Sequence, residues 1–135
     1  NYLQSIGIVY LSKAFAYSKL KDFSLATAFA DKSMEIAHKL NDKLTIAEVY
    51  KIKGVIQRSL QNYILSENYL QTSNRLNKET GNKLNQAETL IELGVLFREM
   101  NKNKESREYL KLALEYFKSI NSKIDIGQIE ELLSS

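Results

Sequence analysis

Leu90 to Asn121 reads LIELGVLFREMNKNKESREYLKLALEYFKSIN. Within it, Leu93-Gly94 is followed by Phe97, and then by the small residues Ser106 and Ala113 on either side of Tyr109. The same column types stand 40 residues earlier at Gly54, Ser66, Tyr69 and Ser73 (94 − 54 = 40). They return once more at Ala14, Ala26, Phe29 and Ser33 (54 − 14 = 40), and no gap is needed. A fixed period in this range marks a stack of helical units, none of which can bury its apolar face alone. The expected fold is therefore all-α, a right-handed α-solenoid of antiparallel hairpins, and the expected role is a binding scaffold.

Working outward, residues 1–20 repeat apolar side chains every three or four positions at Leu3, Ile6, Val9, Tyr10, Ala14 and Tyr17, which predicts a helix. Lys21-Asp22 turns the chain, and Phe23 restarts the pattern through Ala26, Phe29, Ala30, Met34 and Ala37. Asn41-Asp42-Lys43 breaks it, with Asp42 placed to cap the next helix through its carboxylate. The second unit copies the first, turning at Asn62 and stopping at Thr80-Gly81-Asn82, where glycine suits a left-handed helix end. The third turns at Asn101-Lys102-Asn103 and ends at Asn121-Ser122-Lys123. The repeats thus occupy about 1–40, 41–80 and 81–120, a closing helix occupies 123–135, and the expected total is seven helices.

Ala14, Gly54 and Gly94 fall in mid-helix, where glycine costs about 1 kcal/mol relative to alanine. Such a residue is useful where a partner helix crosses closely, and Ala26, Ser66 and Ser106 are the small residues expected to face it. Tyr17, Phe97, Phe23 and Tyr63 are expected to fill the space alongside.

Composition narrows the function classes. A chain of 135 residues fits one domain. It has no cysteine, which removes disulfides and thiolate chemistry, and no proline, which favours uninterrupted helices. The net charge of +3 is spread: residues 1–40 carry five basic and three acidic groups, 41–80 six and four, 81–120 seven and six, and 121–135 one and three. No basic block resembles a nucleic-acid footprint, and no apolar run reaches the roughly 20 residues of a membrane helix. No signal peptide is visible, and a cytoplasmic location is the expectation. The chain opens on Asn1 inside a repeat and reads as a piece of a larger protein.

The Leu93-Gly94-Val95-Leu96-Phe97 run, with Ser106 and Ala113 in the small columns, resembles the tetratricopeptide repeat family. Ala14, Tyr17, Asp22-Phe23, Ala26 and Ser33 match it in the first unit. The second unit departs, with Lys53 for the leucine and Gln57 for the aromatic. The period is 40 where the family usually has 34, and the closing proline is missing, so the likeness is to the long-helix variant found in bacterial signalling regulators and in adaptors. HEAT-type repeats, whose period is also near 40, are the alternative architecture.

The resemblance implies that the first helix of each hairpin lines a concave groove for a protein or peptide. Its positions here are Ile8, Leu11, Phe15, Ser18 and Lys19, then Glu48, Lys51, Val55, Arg58 and Ser59, then Glu88, Ile91, Val95, Arg98 and Glu99. Phe15, Val55 and Val95 occupy the column of the asparagine with which some members grip a carboxylate or a peptide backbone, so neither grip is implied. The groove reads instead as an apolar strip for anchoring side chains, with Arg58 and Arg98 placed to meet acidic groups. Against this stands the reading in which the apolar strip only packs neighbouring helices. The expected function is a non-catalytic sensory or adaptor module of a bacterial signalling or regulatory protein. The alternative is self-association through the terminal helices, with Tyr2, Leu3, Ile6 and Tyr10 as the contact.

Other chemistry finds little footing. His38 is the only histidine and stands near a helix end, where exposure or the C-terminal dipole accounts for it. No metal site and no cofactor is implied by the donors present. Glu88 and Glu92 share a helix face, which is more often solvated than catalytic. Lys102 to Lys111 interleaves Glu105 and Glu108 and reads as exposed ion pairs.

Overall fold

The computed structural model describes residues 1–135. It contains α1 (Tyr2–Lys19), α2 (Phe23–Lys39), α3 (Lys43–Ser59), α4 (Tyr63–Thr80), α5 (Lys83–Glu99), α6 (Asn103–Ser119) and α7 (Lys123–Ser134). All secondary structure is helical, and the seven helices stand where the periodicity puts them. Asn1 lies outside α1 because its side chain caps that helix, accepting from the Leu3 amide at 2.9 Å.

One turn geometry joins every pair of neighbours. The residues with positive φ are Lys21, Asn41, Gln61, Gly81, Asn101 and Asn121, at 63°, 50°, 63°, 74°, 61° and 60°. They recur every 20 residues (41 − 21 = 20). At each turn the following amide reaches back five residues, as in Asp22 to the Tyr17 carbonyl at 3.0 Å and Lys102 to the Phe97 carbonyl at 2.8 Å. This hydrogen bond closes the preceding helix with a single left-handed residue. Gly81 supplies that conformation as its sequence predicts, whereas Lys21 and Gln61 adopt it without help from their side chains. Asp22 and Asp42 then cap the next helix, each accepting from an amide three residues on at 3.2 Å.

Within each hairpin the small columns permit a close crossing. A Cβ added to Gly54 would stand 2.6 Å from Leu70 side-chain atoms, and one added to Gly94 would stand 2.6 Å from Leu110 Cγ. Ser66 Oγ donates to the Gly54 carbonyl at 2.7 Å, and Ser106 Oγ to the Gly94 carbonyl at 2.6 Å. In the first hairpin the corresponding residues are Ala14 and Ala30, both fully buried. There the partner residue is smaller where the crossing residue is larger. A further close approach, at Gly7, stood outside the predicted columns: Ser33 Oγ donates to its carbonyl at 2.9 Å. The aromatic columns pack beside these crossings, with Tyr17 on Phe29 at 5.6 Å and Phe97 on Tyr109 at 5.3 Å between ring centroids.

Each second helix also packs on the first helix of the next hairpin, α2 on α3, α4 on α5 and α6 on α7. The first helices touch one another as well, α1 with α3 and α3 with α5, while no comparable contact joins α2 to α4 or α4 to α6. The stack is thus drawn together along its first helices and splayed along its second ones, which leaves a concave side lined by α1, α3 and α5. The interior divides into two apolar clusters. One joins Ala14, Ala26 and Ala30 to Val49, Ile52 and Ile56 of α3. The other runs from Leu70 through Leu93, Leu96, Leu110 and Phe117 to Ile129. No helix is long and apolar enough to cross a membrane.

Candidate functional site

On the concave side, a cleft of about 370 Å³ opens where α1 meets α3. Phe15 of α1 and Ile52 and Val55 of α3 form its apolar floor. Ser18, Lys19 and Lys21 stand on the α1 rim; Lys51, Ser59 and Glu92 complete the opposite side. A volume of this order suits one or two residues of a ligand chain, since pockets for small ligands begin at about 300 Å³. Phe15 is 48% exposed, although no need of the core requires a phenyl ring in water. Lys19 Nζ lies 4.6 Å from the centroid of that ring, a cation–π contact at the cleft's edge.

Of the groove residues expected from sequence, the structure brings Phe15, Ser18, Lys19, Lys51, Val55 and Ser59 together in this cleft. Leu11 and Ile91 instead pack against the two apolar clusters, so their burial follows from helix stacking. Ile8 is exposed and Val95 half-buried, and neither lines the cleft. Ile52, Lys21 and Glu92 belong to it but were missed. Ile52 and Glu92 lie one residue or one helical turn from predicted positions, and Lys21 stands in a turn whose direction only the left-handed backbone sets.

The cations of α3 depart most from expectation. Arg58 is not free to meet a ligand: Nη1 donates to Glu92 Oε1 at 3.0 Å and to the Glu92 carbonyl at 3.1 Å. Its Nε stands 3.2 Å from Glu99. Lys51 is held by Glu48 at 2.9 Å and Glu88 at 3.4 Å, with its side chain only 12% exposed. Burial alone would pull the Lys51 pKa down, but attraction to Glu48, Glu88 and Glu92, with a hydrogen bond to Glu48, overcomes it and leaves the pKa raised above the ordinary lysine value. Glu88 and Glu92 are therefore the α5 half of an ion-pair ladder that fastens α5 to α3.

Arg98 is engaged too. It donates to the backbone carbonyl of Leu132 and, at 3.2 Å, to that of Ser135, satisfying carbonyls at the end of α7. The ion pairs expected along 102–111 are replaced by other contacts: Lys102 lies over the Phe97 ring at 5.8 Å, and Arg107 donates to the Leu133 carbonyl at 2.6 Å. His38 is exposed in the last turn of α2. What the cleft can do chemically is hold an apolar side chain and answer charge at its rims; it aligns no nucleophile with a base.

Comparison with known proteins places this geometry among relatives. The sequence profile described as "Tetratricopeptide repeat" matches residues 45–119, more than half of the chain. Among solved structures, the N-terminal domain of stress-induced protein-1 (STI-1) from C. elegans superposes with a TM-score of 0.68 at 18% identity, covering 98% of this chain and 98% of that one. At that identity the likeness is one of fold. Curated protein sequences offered no match.

Proposed function

The chain belongs to the tetratricopeptide repeat family, whose helix hairpins serve in general as scaffolds for protein–protein contact, and from that premise we propose that it holds a segment of another protein in the cleft between α1 and α3. The observation that carries this reading is Phe15, half in water above an apolar floor of Ile52 and Val55, on the concave side. An apolar surface kept open in a built recess marks an interface more often than a packing remnant. The module acts by binding and not by catalysis, as a sensory or adaptor part of a larger bacterial signalling or regulatory protein.

Substituting Phe15 and Val95 with aspartate separates binding from packing. Both side chains are at least partly exposed, so helicity by circular dichroism is expected to persist. Capture of peptides by Phe15→Asp is expected to fall at least about tenfold, because a carboxylate replaces the apolar contact. Val95→Asp lies outside the cleft and is expected to have the smaller effect. Loss of helicity in Phe15→Asp would return that residue to the core and end the proposal.

Self-association is the second reading, favoured by the outer face of α1, where Tyr2 is 84% and Val9 52% exposed. Leu3 is near the edge of exposure and Ile6 half-buried, while Tyr10 is already committed to a stack on Phe29 at 5.9 Å. Sedimentation over a range of concentrations decides it: a monomer throughout removes the idea.

A further inference from the structure

The two walls of the cleft differ in charge, and this bears on what kind of segment enters; the inference rests on the reading of the cleft as a binding site. From Asn1 to Lys21 the chain carries Lys13, Lys19 and Lys21 and no carboxylate. At the α1 rim Lys19 and Lys21 stand without an acidic partner, Lys19 leaning over Phe15. On the far side, Glu48, Glu88, Glu92 and Glu99 surround Lys51 and Arg58, four carboxylates to two cations. Two negative charges are left over there, and the side chains of Glu88 and Glu99 are 45% and 40% exposed. The cleft thus has a positive rim on α1 and an apolar floor, and the surplus negative charge lies beyond its far side, on the α5 wall.

We propose that the cleft selects an extended protein segment with oppositely charged ends: an acidic residue at Lys19 and Lys21, a bulky apolar side chain on Phe15 and Val55, and a basic residue at Glu99. Packed helices lie about 8–10 Å apart, so α1 to α5 spans about 16–20 Å. An extended chain advances about 3.3 Å per residue, which puts the two charges about five or six residues apart. A uniformly acidic segment meets repulsion at α5, and a uniformly basic one meets it at α1, so each is rejected at one end. The same α5 wall turns away a nucleic-acid backbone, and Lys51 and Arg58 have no free charge to offer it. Here the acid is met by lysines at the C-terminal end of α1 and in its turn, outside the column where an asparagine would grip a carboxylate.

The test is selection of random short peptides displayed on phage against the whole chain. Recovered peptides are then titrated by fluorescence anisotropy against the chain and against K19E/K21E, E99Q and F15D. Lys19 and Lys21 are exposed, so K19E/K21E keeps its fold, as circular dichroism checks. The proposal expects an acid and a base flanking an apolar residue, and a loss of about tenfold or more for K19E/K21E. It also expects a peptide with its acid changed to lysine to bind K19E/K21E better than the parent does. Peptides that need Phe15 but ignore both charge changes overturn the charge assignment and leave the cleft standing. No recovered peptides, or peptides indifferent to F15D, overturn the cleft itself.

Discussion

At Gln61 the backbone takes φ of 63°, a conformation that a side chain with a Cβ resists by about 1–2 kcal/mol. Gln61 is exposed, and no hydrogen bond from its side chain supports the turn. The cost is imposed by the two helices, whose closing bonds (Gln61 N to Arg58 O at 2.9 Å, Asn62 N to Gln57 O at 2.8 Å) admit only a left-handed residue between them. Gly81 fills the same role one turn type along the array with no such cost. Gln61→Gly is therefore expected to raise stability in urea by about 0.5–1 kcal/mol, less than the full strain because glycine also gains freedom in the unfolded chain. An unchanged or lowered midpoint would mean that Gln61 is not strained. No pattern in the sequence announced Lys21 or Gln61 as left-handed, because that conformation is set by helix lengths and closing bonds and not by residue type. Asn41, Asn101, Asn121 and Gly81 are residue types that tolerate it, and the sequence read breaks or turns at those positions.

At the scale of the element, the hairpin crossing is a matched pair of sizes. Alanine at 54 gains about 1 kcal/mol of helix propensity but drives its Cβ to 2.6 Å from Leu70, and overpacking of that kind costs about 1–3 kcal/mol. Leu70→Ala alone opens a cavity and is expected to cost about 2–5 kcal/mol. The double variant recreates the Ala14/Ala30 arrangement of the first hairpin. It is expected to be more stable than the sum of the single effects by at least about 1 kcal/mol, read from a double-mutant cycle in chemical denaturation. Additivity would show that the two residues do not share the crossing. These columns were legible because a glycine in mid-helix needs a reason, and two in register with an alanine, Gly54 and Gly94 with Ala14, need one reason. The ladder between α3 and α5 was not, since Arg58 and Glu92 or Lys51 and Glu88 are paired only by how one hairpin is offset on the next. Its pH signature has a definite sign. A lysine pKa raised by folding contributes stability that is complete below the unfolded value of about 10.4 and is lost as pH rises through the folded value. Lys51→Met is expected to lose about 1–2 kcal/mol at neutral pH, by stranding Glu48, and to show a smaller further loss in that alkaline range than the parent chain. Denaturation at several pH values from neutral upward checks both, and parallel curves would remove Lys51 from the account.

Across the whole molecule, stability in a stacked array is a sum of unit and neighbour terms, so unequal cores should open unequally. The first hairpin contributes Ala14, Ala26 and Ala30 to its cluster and leans on three residues of α3. The later hairpins share Leu70, Leu90, Leu93, Leu96, Leu110 and Phe117, larger side chains that bury more apolar surface apiece. The two clusters part at the second hairpin, where the Ser66 hydroxyl donates to the Gly54 carbonyl, and the ion-pair ladder ties α3 to α5 with no counterpart tying α1 to α3. α1 and α2 are therefore expected to exchange their amide hydrogens at least about tenfold faster than α5 and α6, as measured by mass spectrometry on peptic fragments. Uniform exchange along the chain would show the array to be a single cooperative unit. The cleft sits between α1, which no ion pair ties to α3, and α3, which the ladder fastens to α5, so Phe15 stands on the loosely held side and Val55 on the firm one. A bound segment that bridges them should slow exchange in α1 more than in α5, whereas a ligand that protects α5 and leaves α1 unchanged must sit elsewhere on the concave side. Sequence could show that three hairpins stack; where the stack is weakest depends on which side chains end up sharing an interior, and that is decided by alanines at 14, 26 and 30 that read, one at a time, as ordinary small residues.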